Sequence, residues 1–183
     1  MNNYIEIKIN PDAEMRENVL LNKVYTKFHK RLCDLTSTDI GISFPEFHIK
    51  LGKTLRIHGA NQRLKELQSD NWLGGLAGYC CISEILQIPD QVSYRTVSRI
   101  QTNMSPAKLR RLIKRKSIKS DEIKRYKAKM FQKGIDNAFL ELESESNGQK
   151  HRRYFSFGEL QIKPIIGEFD QFGLSNQATV PWF

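Results

Sequence analysis

The sequence is poor in cysteine, and it has no apolar run near the ~20 residues that a membrane-spanning helix needs. Its three cysteines, Cys33, Cys80 and Cys81, are odd in number, and none has CxxC spacing. This pattern argues against a disulfide framework or a thiolate zinc site, and it suits a reducing cytoplasm. The start of the chain lacks a basic segment followed by an apolar one, so no signal peptide is expected.

Recognisable metal and nucleotide motifs are also missing from the sequence. His48, His58 and His151 form no ligand spacing with His29 or with one another. The phosphate-binding pattern GxxxxGK[ST] and the nucleophile pattern GxSxG do not occur. We therefore expect no metal and no cofactor.

Acidic residues are scarce in one segment. The chain has 29 Lys+Arg and 20 Asp+Glu, a net charge of +9. Residues 108–129 contain eleven of the basic residues, with only Asp121 and Glu122 as acids, so the rest of the chain is neutral. Charge concentrated in this way favours a polyanionic partner. Because hydrophobic residues make up 39% and aromatics 10%, the chain is not a disordered basic tail.

The first half of the chain contains six predicted elements. Apolar periodicity predicts a strand at 4–9, a helix at 16–35, strands at 40–44 and from residue 55, a helix capped by Asn61, and a strand at 82–88. The order β-α-β-β-α-β is that of a ferredoxin-like domain. We predict that this domain spans residues 1–90, with a linker near 87–93.

The second half, residues 91–183, is predicted to be another α+β domain, one that carries the basic helix. An extended segment at 94–101 precedes a helix at 106–116, for which Ser105 and Pro106 provide the cap and the first residue. A further helix at 120–132 and a hairpin of strands at 139–144 and 152–157, turning at Asn147-Gly148, follow. The apolar stretch 162–183 is expected to form short strands.

The helix at 106–116 combines an apolar stripe with a broad cationic face. Leu109, Leu112 and Ile113 form the stripe, and no acid lies among these residues to compensate the charge. One interpretation is that the cationic face is simply solvated. However, the like charges on the helix repel one another, and bound phosphates would relieve that repulsion, so nucleic-acid binding is favoured. The proposed phosphate-binding residues are Lys108, Arg110, Arg111, Lys114, Arg115 and Lys116.

Three further features leave alternatives open. Arg99 and Gln101 would share a face of an extended segment, and both side chains suit base edges, but a surface strand is equally ordinary. His29 follows the apolar Phe28 on the first helix, so it is either a packed histidine or a general base at the edge of the core. Ser144 and Ser146 flank a predicted turn. They are there either because serine favours turns or because a hydroxyl at the end of the hairpin positions a substrate group.

In this order, the motifs resemble the CRISPR-associated repeat-processing endoribonucleases of subtype I-F (Cas-six family, Csy-four type) over essentially the whole chain. The motifs are His29, I-G-I-S-F-P at 40–45, L-R-I-H at 55–58, V-S-R-I-Q at 97–101, the basic helix, S-x-S-x-G-Q at 144–149, G-L-S at 173–175 and V-P-W-F at 180–183.

The resemblance implies a metal-independent endoribonuclease that cuts CRISPR repeat RNA at the 3′ base of a stem-loop. The 2′-hydroxyl attacks the adjacent phosphate and leaves a 2′,3′-cyclic phosphate on the mature crRNA. His29 would deprotonate that hydroxyl, Ser144 would hold it, and Arg99 with Gln101 would read base edges. Ser146, Gln149, His151 and Phe172 would lie near the scissile phosphate or the stem end.

Three residues depart from the family pattern. Phe172 replaces a tyrosine that orients the histidine, so another group would have to hold His29. Leu112 replaces an arginine near the scissile phosphate, for which Arg111 or Lys116 could substitute. His151 replaces a phenylalanine that stacks on the terminal base pair.

The resemblance also implies partners. They are the repeat stem-loop and other subunits of a type I-F crRNA surveillance complex, with a chain that is monomeric alone and touches no membrane. The alternatives are a non-catalytic hairpin-binding subunit of such a complex and, more distantly, a DNA-binding regulator.

Overall fold

The first half of the chain forms an antiparallel sheet with two helices against it. A computed structural model describes residues 1–100, 106–132, 137–143, 148 and 150–183. The elements are β1 (Asn3–Ile9), α1 (Glu17–Asp34), β2 (Gly41–Ser43), β3 (Thr54–Gly59), α2 (Asn61–Gln68), a 3-10 helix (Gly74–Tyr79), β4 (Cys80–Ile82) and β5 (Leu86–Gln87). The strand order β2-β3-β1-β4 is antiparallel throughout, and both α1 and α2 contact β1. This topology confirms the predicted ferredoxin-like arrangement.

Two details of the first half differ from the prediction. Asn61 is the first residue of α2 and not its cap, because the cap position belongs to Ala60, which makes no side-chain cap bond. The strand predicted at 82–88 is broken into β4 and β5. At the break, Ser83 Oγ takes the place of a backbone acceptor and receives a hydrogen bond from Glu6 N at 2.9 Å, which interrupts the ladder with β1.

The second half adds two small sheets and two helices. Its elements are β6 (Ser93–Arg95), β7 (Val97–Ile100), α3 (Pro106–Lys114), α4 (Ser120–Gln132), β8 (Phe139–Glu143), β9 (Lys150–Phe157) and β10 (Val180–Trp182). β9 lies between β7 and β8, and β10 pairs with β6. The extended segment at 94–101 is thus two strands of different sheets, with Gln101 outside the described residues. The α+β class is confirmed.

The predicted strands in 162–183 are largely wrong. In this stretch the described backbone has one strand, β10. Most of the rest is loop, because its backbone groups make single bonds to other parts of the chain and to its own turns, and do not form a continuous ladder. Phe169 N donates to Thr38 O at 2.9 Å, and Gly173 O accepts from Ile42 N at 3.1 Å.

One core joins the two halves of the chain. The helix predicted at 16–35 is present as α1, and its buried stripe contains Leu20, Leu21, Val24, Tyr25, Phe28 and Leu32. Phe155 of β9 packs edge-on against Tyr25 and Phe44, with ring centroids 5.9 and 5.3 Å apart. The division into domains 1–90 and 91–183 stays a prediction. Among the described residues, no helix is long and apolar enough to cross a membrane.

Candidate active site and nucleic-acid interface

His29 lies near the C-terminal end of α1, half-buried beside the core residue Phe28, as predicted from its place at the edge of the stripe. Its Nδ1 is 2.7 Å from the carbonyl oxygen of Gln171. Since a carbonyl oxygen only accepts, Nδ1 carries the proton and donates it. In the neutral ring this bond leaves Nε2 with the lone pair, so His29 can accept a proton at Nε2.

A tight turn at residues 170–174 aims the Gln171 carbonyl at His29. Asp170 Oδ1 accepts hydrogen bonds from Phe172 N and Leu174 N, both at 2.9 Å. Gly173 has φ +71°, a left-handed conformation that favours glycine. A Cβ at this position would meet Ile42 Cγ2 at 3.0 Å and Phe28 Cε1 at 3.3 Å. The turn is therefore held by its own bonds and by close contact with the core.

Phe172 stacks face to face on His29. The ring centroids are 3.5 Å apart and the planes are 12° from parallel. Phe172 O accepts a hydrogen bond from Tyr25 Oη at 3.0 Å. Burial raises the pKa of the Tyr25 hydroxyl, while the charges of Arg153 and Arg99 act against that rise, so the hydroxyl stays protonated and donates. The resemblance led us to expect a tyrosine hydroxyl at position 172; in this chain the Gln171 carbonyl and the stacked Phe172 ring contact His29 instead.

Cys33 lies one helical turn after His29 on the same face of α1. Its Sγ is 3.6 Å from His29 Nδ1 and 3.9 Å from Nε2, and it donates to Gln171 Oε1 at 3.3 Å. Burial, with a contribution from Asp34, raises the pKa of this thiol, which keeps it a donor. Gln171 is thus bound at two atoms, since its side-chain oxygen accepts from the Cys33 thiol and its backbone oxygen accepts from His29.

The sheet β7-β9-β8 presents further polar side chains. Arg99 is exposed on β7 and pairs with Phe155, and His151 is exposed on β9 and pairs with Leu142. Because alternate residues of a strand share a face, Arg99, His151, Arg153 and Phe155 project from one side of the sheet. This is the side that packs on α1, so the sheet carries Arg99 and His151 toward the helix that holds His29.

The basic helix α3 exposes its cations. All six predicted phosphate-binding residues are exposed: Lys108, Arg110, Arg111, Lys114, Arg115 and Lys116. Leu109 is buried and Leu112 is half-buried, but Ile113 is 45% exposed, so the apolar stripe is narrower than predicted.

The basic helix also ends two residues earlier than expected. Lys116 adopts φ +52°, and the backbone bonds from Lys116 N to Ile113 O and from Ser117 N to Leu112 O close a Schellman motif. Arg115 and Lys116 therefore belong to the cap of α3 and not to its helical face.

Four predicted site residues, Gln101, Ser144, Ser146 and Gln149, lie outside the described residues, as does Ser105. Two further groups near His29, the Gln171 carbonyl and Arg153, were not predicted from the sequence. The Gln171 carbonyl cannot be identified from a sequence, since every residue has a backbone carbonyl. Arg153 has a signature, because a charged residue at an inward position of an alternating strand is unusual. Within the described ranges, no group of three or more His, Cys, Asp or Glu side chains is placed to hold a metal ion.

Comparison with known proteins gives relatives over the full chain. A family model described as "CRISPR-associated protein (Cas_Csy4)" matches residues 4–183. Two curated proteins named "CRISPR-associated endonuclease Cas6/Csy4" are each 34% identical, with all of both chains covered. They come from Escherichia coli (strain UTI89 / UPEC), aligned over 184 residues, and Pseudomonas aeruginosa (strain UCBPP-PA14), aligned over 187.

Among solved structures, a CRISPR endoribonuclease Cse3 bound to 19 nt RNA aligns with 98% of this chain and 100% of its own. The TM-score is 0.40 and the identity 10%. The predicted family and the predicted CRISPR-associated endonuclease activity are confirmed by the family model and the curated relatives. The chain belongs to the Cas_Csy4 family of CRISPR-associated proteins.

Proposed function

We propose that this endonuclease cuts CRISPR repeat RNA at the 3′ base of a stem-loop, in the cytoplasm, with His29 as general base. The observation that carries the proposal is the 2.7 Å bond between His29 Nδ1 and Gln171 O. It fixes the tautomer in which Nε2 is the basic nitrogen. An imidazole whose second nitrogen keeps its lone pair can take a proton from a hydroxyl group, which is the role of a general base.

In the proposed reaction, Nε2 of His29 takes the proton of the 2′-hydroxyl upstream of the cut. The 2′-oxygen then forms a bond to the adjacent phosphorus, and the bond from phosphorus to the 5′-oxygen breaks. The departing 5′-oxygen takes a proton from water and becomes a 5′-hydroxyl, and the other fragment keeps a 2′,3′-cyclic phosphate. His29 then returns its proton to water. The ribose supplies the nucleophile itself, so the mechanism calls on neither a metal-bound water nor a cofactor.

Substrate binding is assigned to other residues. The exposed cations of α3 and its cap would contact phosphates of the stem, which is consistent with their charge and exposure. Arg99 would read a base edge together with Gln101, and Ser144 would hold the 2′-hydroxyl. His151 would stack at the stem end. We further propose that a monomeric chain keeps its product and joins the other subunits of a crRNA surveillance complex.

The test compares His29→Ala with His48→Ala, a control that removes an exposed histidine from a loop. With a cognate repeat hairpin, we expect His29→Ala to lose cleavage and to keep binding, and His48→Ala to match the wild type. Cleavage by His29→Ala would remove His29 from the mechanism.

The wild-type protein distinguishes the alternative functions. Intact RNA in a tight complex with the wild type would favour a non-catalytic subunit, and preference for duplex DNA would favour a DNA-binding regulator.

Two substrate experiments test the nucleophile. A 2′-deoxy substitution at the cut site should block the reaction while leaving binding intact. Cleavage in EDTA should proceed at the rate seen with Mg²⁺. Dependence of the rate on Mg²⁺, or cleavage of the deoxy substrate, would contradict attack by the 2′-hydroxyl.

A further inference from the structure

Arg153 is a buried cation on the inward face of β9. Its side chain points with Phe155 into the core, and the residue is 4% exposed. Its Nε has no hydrogen-bond partner among the described residues. The ion pairs found among the described residues do not include Arg153. The carboxylate of Asp170 is close enough to act on its charge, but burial still lowers the pKa of the guanidinium.

The guanidinium of Arg153 lies on the ring of Phe172. Its Cζ is 3.3 Å from the centroid of that ring, and the centroid of His29 is 3.5 Å from the same point. Two groups that close to one ring cannot occupy the same face without overlap. Arg153 and His29 therefore clamp Phe172 from opposite faces, in the order Arg153, Phe172, His29.

Stability alone does not account for this cation. A buried charge without a paired carboxylate is costly, and an apolar side chain of similar length often serves a core as well or better. The planar guanidinium instead matches the face of an aromatic ring, and the attraction is strongest where water is excluded. What Arg153 supplies is a fixed position for Phe172, and through Phe172 a fixed plane for the imidazole.

We propose that Arg153 is a positioning residue for His29, acting through Phe172. The proposal rests on the proposed role of His29 as general base. The stack fixes the plane of the imidazole, and the Gln171 carbonyl fixes its rotation, so Nε2 is directed before RNA binds. Arg153 itself does not contact the reacting atoms.

The first experiment measures the single-turnover cleavage rate, the Kd for an uncleavable 2′-deoxy hairpin, and the thermal unfolding of Arg153→Met. Arg152→Met is the matched control. Arg152 is the neighbour on β9, is exposed on the other side of the strand, and lies 4.6 Å from the Phe139 ring. We expect Arg153→Met to lose about 10- to 100-fold in rate, with unchanged Kd and an unfolding temperature at or above that of the wild type.

We expect the rate for Arg152→Met to stay near that of the wild type. Equal rates for the two variants would overturn the proposal. If Arg153→Met does not fold, Arg153→Lys provides the same test, because it keeps the charge and loses the planar face. A wild-type rate in Arg153→Lys would overturn the stacking role.

A double-mutant cycle asks whether Arg153 acts through Phe172. In a Phe172→Leu background, which removes the ring, Arg153→Met should cost little further rate. An undiminished loss in that background would show that Arg153 acts by another route, and would contradict the proposal.

A readout without RNA separates this proposal from the function on which it rests. Nitrogen-15 NMR of the His29 ring should show the Nδ1–H tautomer in the wild type and in Arg152→Met. In Arg153→Met the plane of the ring is no longer fixed, so the imidazole can turn away from the Gln171 carbonyl, and we expect a mixture of tautomers. An unchanged tautomer in Arg153→Met would refute the positioning role, whatever the activity. If His29→Ala still cleaves RNA, the proposed function fails, and the tautomer measurement still decides the role of Arg153.

Discussion

His29 Nδ1 and the carbonyl oxygen of Gln171 are 2.7 Å apart, so a backbone group holds the candidate base. A tether of this kind depends on the path of the turn at 170–174 and not on the side chain that the turn presents. The resemblance led us to expect a tyrosine hydroxyl at position 172, and in this chain the carbonyl of the neighbouring Gln171 makes a hydrogen bond to His29. Substitution of the Gln171 side chain should therefore be tolerated, and substitution of Gly173, which sets the path of the turn, should not.

We predict that Gln171→Ala keeps a cleavage rate close to that of the wild type. The substitution removes the acceptor of the Cys33 thiol but leaves the carbonyl that binds His29. Single-turnover cleavage of a repeat hairpin measures the effect. A loss comparable to that of His29→Ala would show that the amide side chain, and not the backbone, supports the base.

Gly173→Ala should lower both the stability and the cleavage rate. The left-handed φ of +71° strains an alanine, and its Cβ would crowd Ile42 and Phe28. We expect a loss of about 1–3 kcal/mol in the free energy of unfolding, measured by urea denaturation. Gly74→Ala is the control, since Gly74 has φ +56° with nothing within 4 Å of a Cβ. Equal destabilisation of the two variants would mean that strain alone, without crowding at the turn, explains the effect.

Lys114→Ala should reduce the salt dependence of RNA binding. Lys114 is exposed at the end of α3, and loss of one phosphate contact should flatten the slope of log K against log[salt] by about one unit. Fluorescence anisotropy with an uncleavable hairpin at several salt concentrations measures the slope. Lys65→Ala, which removes an exposed lysine from α2, should leave the slope unchanged. Equal slopes for the wild type and Lys114→Ala would exclude Lys114 from the phosphate contacts.

Lowering the pH should destabilise the fold through His58. This residue is fully buried, and its Nε2 is 2.7 Å from Ser43 Oγ. Burial lowers the pKa of the His58 imidazole to about 3. Since the unfolded chain takes up a proton near pH 6.5 and the folded one does not, stability is present above that pH and is lost as pH falls toward 3. Between pH 7.5 and 5 the loss should be about 2 kcal/mol in the free energy of unfolding.

Urea denaturation at the two pH values tests the role of His58. His58→Asn, which keeps a polar partner for Ser43, should lose that part of the pH dependence. His48→Gln, which changes an exposed histidine, should keep it. If His58→Asn retains the full pH dependence, another group is responsible.

Much of the fold follows from periodicity alone. The apolar stripe of α1 and the proline at the start of α3 gave the right elements because short-range spacing determines them. The break between β4 and β5 could not be predicted in this way. It depends on a bond between Ser83 and Glu6, which are 77 positions apart. Likewise, Ile113 has the spacing of a buried residue, but the described elements leave 45% of it exposed.

The candidate site was predictable only in part. The position of His29 at the edge of the stripe follows from its spacing to Phe28, and its partial burial is confirmed. The roles assigned to His29, Arg99, His151 and the cations of α3 stay predictions, as do those of Gln101, Ser144, Ser146 and Gln149. The clamp of Phe172 by Arg153 requires a strand of one sheet to meet a loop from the end of the chain, which no local pattern specifies.

If His29 is the general base, as proposed, the bond that tethers it would make nuclease activity a late product of folding. His29 and Gln171 are 142 positions apart. A folding intermediate that has formed α1 but not docked residues 170–174 would hold the imidazole without its fixed tautomer. A nascent or misfolded chain could thus display cationic residues and capture RNA before it can cut. Correct cleavage would then report completion of the tertiary structure, and partial unfolding of one turn would switch off the chemistry while most of the molecule remains native.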